Sequence, residues 1–159
     1  MAGHETRLAG MLALAGPALL LGGAYLSQYG FGLHPCEMCW WQRYPHFVAI
    51  VLAVLAWLWR PTARPLILLA ALAIAASGLI GGFHAGVEYG WWQGLTACST
   101  ALPAGGDPLE AIMNAPLVRC DVVPWSLLGI SLAGWNFLFS MTVSLAIVLL
   151  LARGGKAAG

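Results

Sequence analysis

Apolar residues arrive in four long blocks along this chain, and the polar residues are confined to the joints between them. No Asp, Glu, Lys or Arg interrupts 8–30, 44–59, 66–83 or 122–152. About 20 mainly apolar residues in a helix cross the hydrocarbon core of a bilayer. The pattern predicts helices over 8–29, 40–59, 66–89 and 123–151, joined on one side by loops 30–39 and 90–122. The second block is the shortest. Its 16 residues from Tyr44 to Trp59 would rise only ~24 Å, so its helix is expected to begin near Cys39. Pro17 and Pro45 fall inside predicted helices, which membrane bundles tolerate.

Composition turns this pattern into a class. Hydrophobic residues make up 60% of the 159, charged residues 8%, and mean hydropathy is +0.82. A soluble domain carries about 25% charged residues. The chain therefore reads as all-α, an integral membrane four-helix bundle forming a single domain over 1–159, with lipid as its main solvent. A net charge of +1 without a basic patch argues against nucleic acid as a partner. The first block competes with a cleaved signal peptide, but it exceeds the ~7–15 apolar residues of such a segment and lacks a clear small-residue cleavage site, so it is read as retained.

Charge at the joints sets the orientation. Arg7, Arg60, Arg64, Arg153 and Lys156 share one side of a four-span bundle, and only Arg43 and Arg119 lie on the other. The positive-inside rule then predicts cytoplasmic termini. All four cysteines (Cys36, Cys39, Cys98 and Cys120) fall on the outer side, where disulfides persist.

The stretch Cys36-Glu-Met-Cys-Trp-Trp-Gln-Arg43 carries the candidate chemistry. At the start of a helix Cys36, Cys39 and Arg43 share a face, and the unpaired N–H groups there favour a thiolate. A structural disulfide, or half of a zinc site, is the inert alternative. Cys98 and Cys120 sit in the one long outer loop, where an exposed disulfide would exchange readily. In the same loop Asp107-Pro108-Leu109-Glu110 reads as a helix start, predicting a short surface helix through Asn114. Gly78, Gly82 and Gly86 recur every fourth residue on the third helix and allow close approach of a neighbouring helix or a flat ligand. Asn136, Ser140 and Ser144 do the same on the fourth and are expected to hydrogen-bond across the bundle.

Four spans, an outward Cys-x-x-Cys with an arginine four residues on, a second cysteine pair in the last outer loop and Trp125-Ser-Leu-Leu-Gly129 together resemble the DsbB family of bacterial inner-membrane, quinone-dependent disulfide-bond formation proteins. The resemblance implies a relay. A reduced periplasmic DsbA-like thioredoxin-fold oxidase attacks a Cys98–Cys120 disulfide through Cys98. Cys120 then attacks Cys36, and Cys39 passes electrons to ubiquinone or menaquinone. Arg43 is the implied cofactor-binding residue, with His84 and Glu88 as further candidates, a helix-packing role for His84 being the alternative. Glu37 and Met38 would tune the redox potential. His34 and His46 flank the stretch as possible proton carriers, and neither is expected to act.

Three alternatives stand beside this reading. A vitamin K epoxide reductase-like quinone reductase is disfavoured by order, because here the Cys-x-x-Cys precedes the other pair. A non-catalytic membrane protein with two structural disulfides has no order to set against it. Zinc on four thiolates is disfavoured because Cys98 and Cys120 are not a tight pair, so no metal is expected.

Overall fold

The computed structural model describes residues 2–95, 99–100 and 117–156. Within them the elements run α1 (Ala2–Gly30), α2 (Glu37–Leu58), a single 3-10 turn (Arg60–Thr62), α3 (Ala63–Glu88), β1 (Ser99–Thr100), β2 (Leu117–Val118), β3 (Ser126–Leu127), β4 (Ile130–Ser131) and α4 (Leu132–Lys156). All-α architecture with four helices and a long connection between the last two is what the hydropathy blocks foretell. Alanines build the inner core: Ala9, Ala13, Ala49, Ala70 and Ala71 are fully buried, with Ile67, Ile74 and Ile147 filling between them. Small side chains let helix backbones approach closely, the usual way helices associate where lipid offers no hydrophobic drive. The large apolar side chains point outward instead, as Leu19, Trp57, Leu79 and Leu145 do. A bundle with alanine inside and leucine outside is built for lipid.

Among the described residues three helical segments are long and apolar enough to cross a membrane, Gly3–Gly30, Arg60–Glu88 and Leu132–Gly154. Helix α2, whose apolar block is the shortest, is not among them. Helix α2 has 22 residues, about 33 Å of rise, but its first turns hold Gln42, Arg43 and His46, all buried. Pro45 stands inside α2 rather than at its start. The polar turns are where the site is built.

The fourth helix also begins later than expected, at Leu132 instead of 123. Residues 126–131 form a hairpin, pairing Ser126 with Ser131 and Leu127 with Ile130. Its two turn residues, Leu128 and Gly129, have φ of 54° and 79°. Two successive left-handed residues fit a tight hairpin turn and break a helix. Tyr89, capping the end of α3, fixes this hairpin: its hydroxyl donates to the Gly129 carbonyl at 3.0 Å and accepts from the Ser131 N–H at 2.8 Å. The other small ladder pairs Ser99 with Val118 and Thr100 with Leu117. Cys98 and the short helix expected over 107–114 lie outside the described residues.

The third helix uses its small residues to seat α4. A Cβ on Gly81 would stand 2.9 Å from the Ala133 carbonyl oxygen, a backbone atom that cannot move aside alone. Gly86 instead accommodates the Trp92 ring, whose nearest atom would come within 2.0 Å of an added Cβ. Gly81→Leu is therefore expected to push α3 and α4 apart and to cost about 1–3 kcal/mol. Detergent-solubilised variant and parent compared by thermal unfolding should show the loss; equal midpoints would contradict this packing.

Candidate active site

Cys36 caps α2. Its backbone is extended (φ −76°, ψ 176°) and its sulfur accepts the Cys39 N–H at 3.3 Å. The Cys36 thiol in turn donates to the Cys39 sulfur at 3.1 Å. This hydrogen bond and burial push the Cys36 thiol up to about 12, against an opposing pull from His84. Cys36 is thus the proton holder of the pair, and the same hydrogen bond pulls the Cys39 thiol below its ordinary value. That sulfur sits in the first turn, where unpaired N–H groups and the helix dipole favour an anion.

The two sulfurs face different surroundings. On the α3 side Cys36 packs in a buried cluster with Met38, Val87 and Cys120. The Cys36 sulfur, the Cys120 sulfur and a ring nitrogen of His84 all lie within 4.8 Å of one another. Cys36 Sγ is 3.6 Å from His84 Nε2, and Glu88, one turn further along α3, approaches the same nitrogen at 3.8 Å. On the opposite side a cavity of about 260 Å³ opens between α1, α2 and α4. Its walls are mainly apolar, with Leu20, Ala24, Ala133 and Phe139 among them, and Cys39, Arg43 and His46 form its polar edge.

Arg43 is held at that edge from three directions. Its Nη1 donates to Gln28 Oε1 at 2.6 Å, and Nη2 donates to the Ala24 carbonyl at 3.4 Å. The guanidinium carbon lies 4.9 Å from the Tyr25 ring centre and 4.8 Å from that of Trp40. Aromatic faces on a cation stabilise it where water is scarce.

Below the sulfurs a buried polar network ties α2, α3 and α4 together. Gln42 Nε2 donates to the Met38 carbonyl at 3.2 Å and meets His84 Nδ1 at 2.8 Å. Gln42 Oε1 accepts from Asn136 Nδ2 at 2.9 Å. Asn136 Oδ1 meets His46 Nε2 at 3.0 Å and accepts from Ser140 Oγ at 2.9 Å. Ser77 Oγ donates to the Gln42 carbonyl at 2.7 Å and lies 2.9 Å from His46 Nε2. Among the described residues only His46 Nδ1 and Glu88 Oε2 are buried side-chain polar atoms without a partner.

Of the expected site residues, Cys36, Cys39 and Cys120 come together, Arg43 lines the cavity beside Cys39, and Cys98 lies outside the described residues. The placement of His84 and Glu88 departs from the expectation that they bind the cofactor. Neither lines the cavity; both stand on the far side of the cysteine pair, against Cys36. The reason is helical phase: the face of α3 that carries His84 packs on the head of α2, which separates it from α1. His46, expected to be idle, is 3% exposed and forms part of the cavity wall. Gln42 and Gln28 were not singled out, although a polar residue inside an apolar span is by itself a signal. The hydrogen bonds expected across the bundle from Asn136, Ser140 and Ser144 are present, Ser144 bonding the Ala71 carbonyl at 2.9 Å.

Comparison with known proteins agrees with this arrangement. The family model described as "Disulfide bond formation protein DsbB" matches residues 6–150. A protein of Verminephrobacter eiseniae named "Disulfide bond formation protein B" is 37% identical, over 96% of this chain and 89% of its own length. Proteins of the same name from an Acidovorax and an Azoarcus species are 31% and 32% identical, over 96% and 86% of this chain and 90% and 86% of their own lengths. No solved structure matches. With its cysteine pair at the head of α2, its third cysteine folded against it and a family match over nearly the whole length, this chain belongs to the DsbB family of membrane disulfide bond formation proteins.

Proposed function

We propose that the chain is a thiol oxidoreductase of the bacterial inner membrane that reoxidises a periplasmic DsbA-like dithiol oxidase and delivers the electrons to ubiquinone or menaquinone. The observation that carries this reading is the two-sided placement of the cysteine pair. Cys36 lies against Cys120 on the protein side, and Cys39 lies in the cavity wall on the other. Electrons can enter through one sulfur and leave through the other without either moving far.

The sulfur chemistry balances as follows. The partner's thiolate attacks Cys98, the Cys98–Cys120 bond breaks, and Cys120 leaves as a thiolate. Cys120 then bonds Cys36, the Cys36–Cys39 bond breaks, and the electron pair rests on Cys39. The N-terminal turn of α2 holds the charge on Cys39, and Arg43, one turn on, adds a fixed cation at the cavity edge.

The cavity suits a quinone ring: it is mostly apolar, it borders Cys39 and a clamped guanidinium, and the unpartnered Nδ1 belongs to a histidine of its wall. A quinone bound there supplies a two-electron, two-proton acceptor. Arg43 would hold a ring oxygen and favour it as charge builds. Cytoplasmic termini and periplasmic cysteines complete the proposal, resting on the Arg/Lys imbalance between the joints.

Arg43→Leu is expected to weaken binding of ubiquinone-1 about tenfold or more, some 1.4 kcal/mol, by tryptophan-fluorescence titration. Exchange of the soluble dithiol with Cys98–Cys120 should stay within about twofold; unchanged quinone affinity would remove Arg43 from the site. Cys98→Ser is expected to abolish the covalent complex with the partner on non-reducing gels. A complex that persists through Cys120 would reverse the roles of those two thiols.

A further inference from the structure

His84 is the buried group that the relay above leaves without a task, and its surroundings fix which atom faces the sulfurs. Gln42 Nε2 donates to the Met38 carbonyl and is the atom 2.8 Å from His84 Nδ1. The other end of that amide is committed, because Gln42 Oε1 accepts from Asn136 Nδ2. Asn136 is committed in its turn: its Oδ1 accepts from Ser140 Oγ, and its Nδ2 also reaches the Ser77 carbonyl at 3.2 Å. Flipping Gln42 would set its Nε2 against the Asn136 Nδ2 donor, and flipping Asn136 would set its Oδ1 against the Gln42 Oε1 and Ser77 carbonyl acceptors. An amide N–H therefore points at Nδ1, which accepts, and the neutral ring carries its own proton on Nε2. Nε2 is the nitrogen 3.6 Å from Cys36 Sγ, and a nitrogen of the same ring lies within 4.8 Å of Cys120 Sγ.

We propose that His84 serves the sulfur exchange and not the quinone: it holds Cys120 against Cys36 and gives its Nε2–H to the charge that passes between them. The inference rests on the proposed relay and assigns one of its steps. When Cys120 attacks Cys36, the Cys120–Cys36 bond forms, the Cys36–Cys39 bond breaks, and negative charge spreads over three sulfurs. The leaving end, Cys39, lies in the first turn of α2, with its dipole and unpaired N–H groups. The attacking end lies away from that turn, and the His84 N–H is the donor beside it. A hydrogen bond to an ionised sulfur in a dry site is stronger than one between neutral groups. His84 touches a reacting atom and is therefore a catalytic residue; Gln42, acting through it, is a positioning residue.

Two measurements on the full-length protein in detergent separate this role from a quinone role. The first mixes oxidised protein with a reduced thioredoxin-fold dithiol, quenches in acid, and follows the Cys36–Cys120 linkage by mass spectrometry. The second titrates ubiquinone-1 by tryptophan fluorescence. His84→Phe is expected to slow formation of the linkage at least tenfold while ubiquinone-1 affinity stays within twofold. His84→Asn, which keeps an N–H donor, should recover part of the rate. Linkage forming at the parental rate overturns the proposal, as does an equal loss in both measurements or a failure of Asn to outperform Phe. If the Phe variant does not fold, His84→Ala takes its place, with the same slowing and the same superiority of Asn expected. A parent that binds no ubiquinone-1 overturns the quinone reading alone, because the linkage measurement needs no quinone.

Discussion

Inside a bilayer the protein must satisfy its own polar groups, and this requirement organises the bundle. An unpaired amide or hydroxyl away from water costs about 1–3 kcal/mol, so a span with Gln42, Arg43 and His46 in its first turns holds only if neighbours answer each one. Helix α3 answers with Ser77 and His84, α4 with Asn136 and Ser140, and α1 with Gln28 and the Ala24 carbonyl. Each bond crosses from one helix to another, so the network fixes the mutual rotation of all four. The small residues at the contacts, Gly81 against Ala133 in particular, bring the backbones close enough for these short side chains to meet.

The cysteines inherit their positions from this frame. Because α2 is locked in rotation, the sulfur at its cap and the sulfur in its first turn look in different directions, one to Cys120 and His84, the other to the cavity. The hydrogen bond from Cys36 to Cys39 leaves the accepting sulfur on the cavity side. Helix phase alone thus separates the entrance of the proposed relay from its exit. A clamped Arg43 at the exit adds a cation whose desolvation is offset by Gln28 and two aromatic rings.

Much of this was legible in the residues, for identifiable reasons. Charge-free blocks mark membrane helices strongly because the cost of charge in lipid is steep, and the four-residue spacing of Cys39 and Arg43 sets both on the cavity side of α2, whereas Cys36, as the cap, turns the other way. The start of α4 was misread because Pro124-Trp125 looks like a helix opening, whereas the hairpin depends on a leucine in the left-handed region at 128, which propensity does not foresee. His84 and Glu88, read as cofactor-binding candidates, lie against Cys36 and away from the cavity, which the residues alone do not reveal for a related reason. A one-dimensional pattern shows that a polar residue is buried, and only helix rotation shows what it faces. His46 was dismissed as one of two flanking histidines, yet Asn136 and Ser77 had to be in place before its position on the cavity wall could be read.

The central claim is that electrons leave the Cys36–Cys39 dithiol for a quinone beside Cys39. The most direct measurement is an anaerobic stoichiometric titration of the fully reduced protein with ubiquinone-1, counting quinone lost by ultraviolet absorbance and thiols lost by alkylation and mass spectrometry. Quinone and the Cys36–Cys39 thiol pair are expected to be lost equally, one for one, with no quinone consumed by Cys39→Ser. Quinone consumed at the same rate without Cys39, or thiols that stay reduced in the presence of excess quinone, would contradict it.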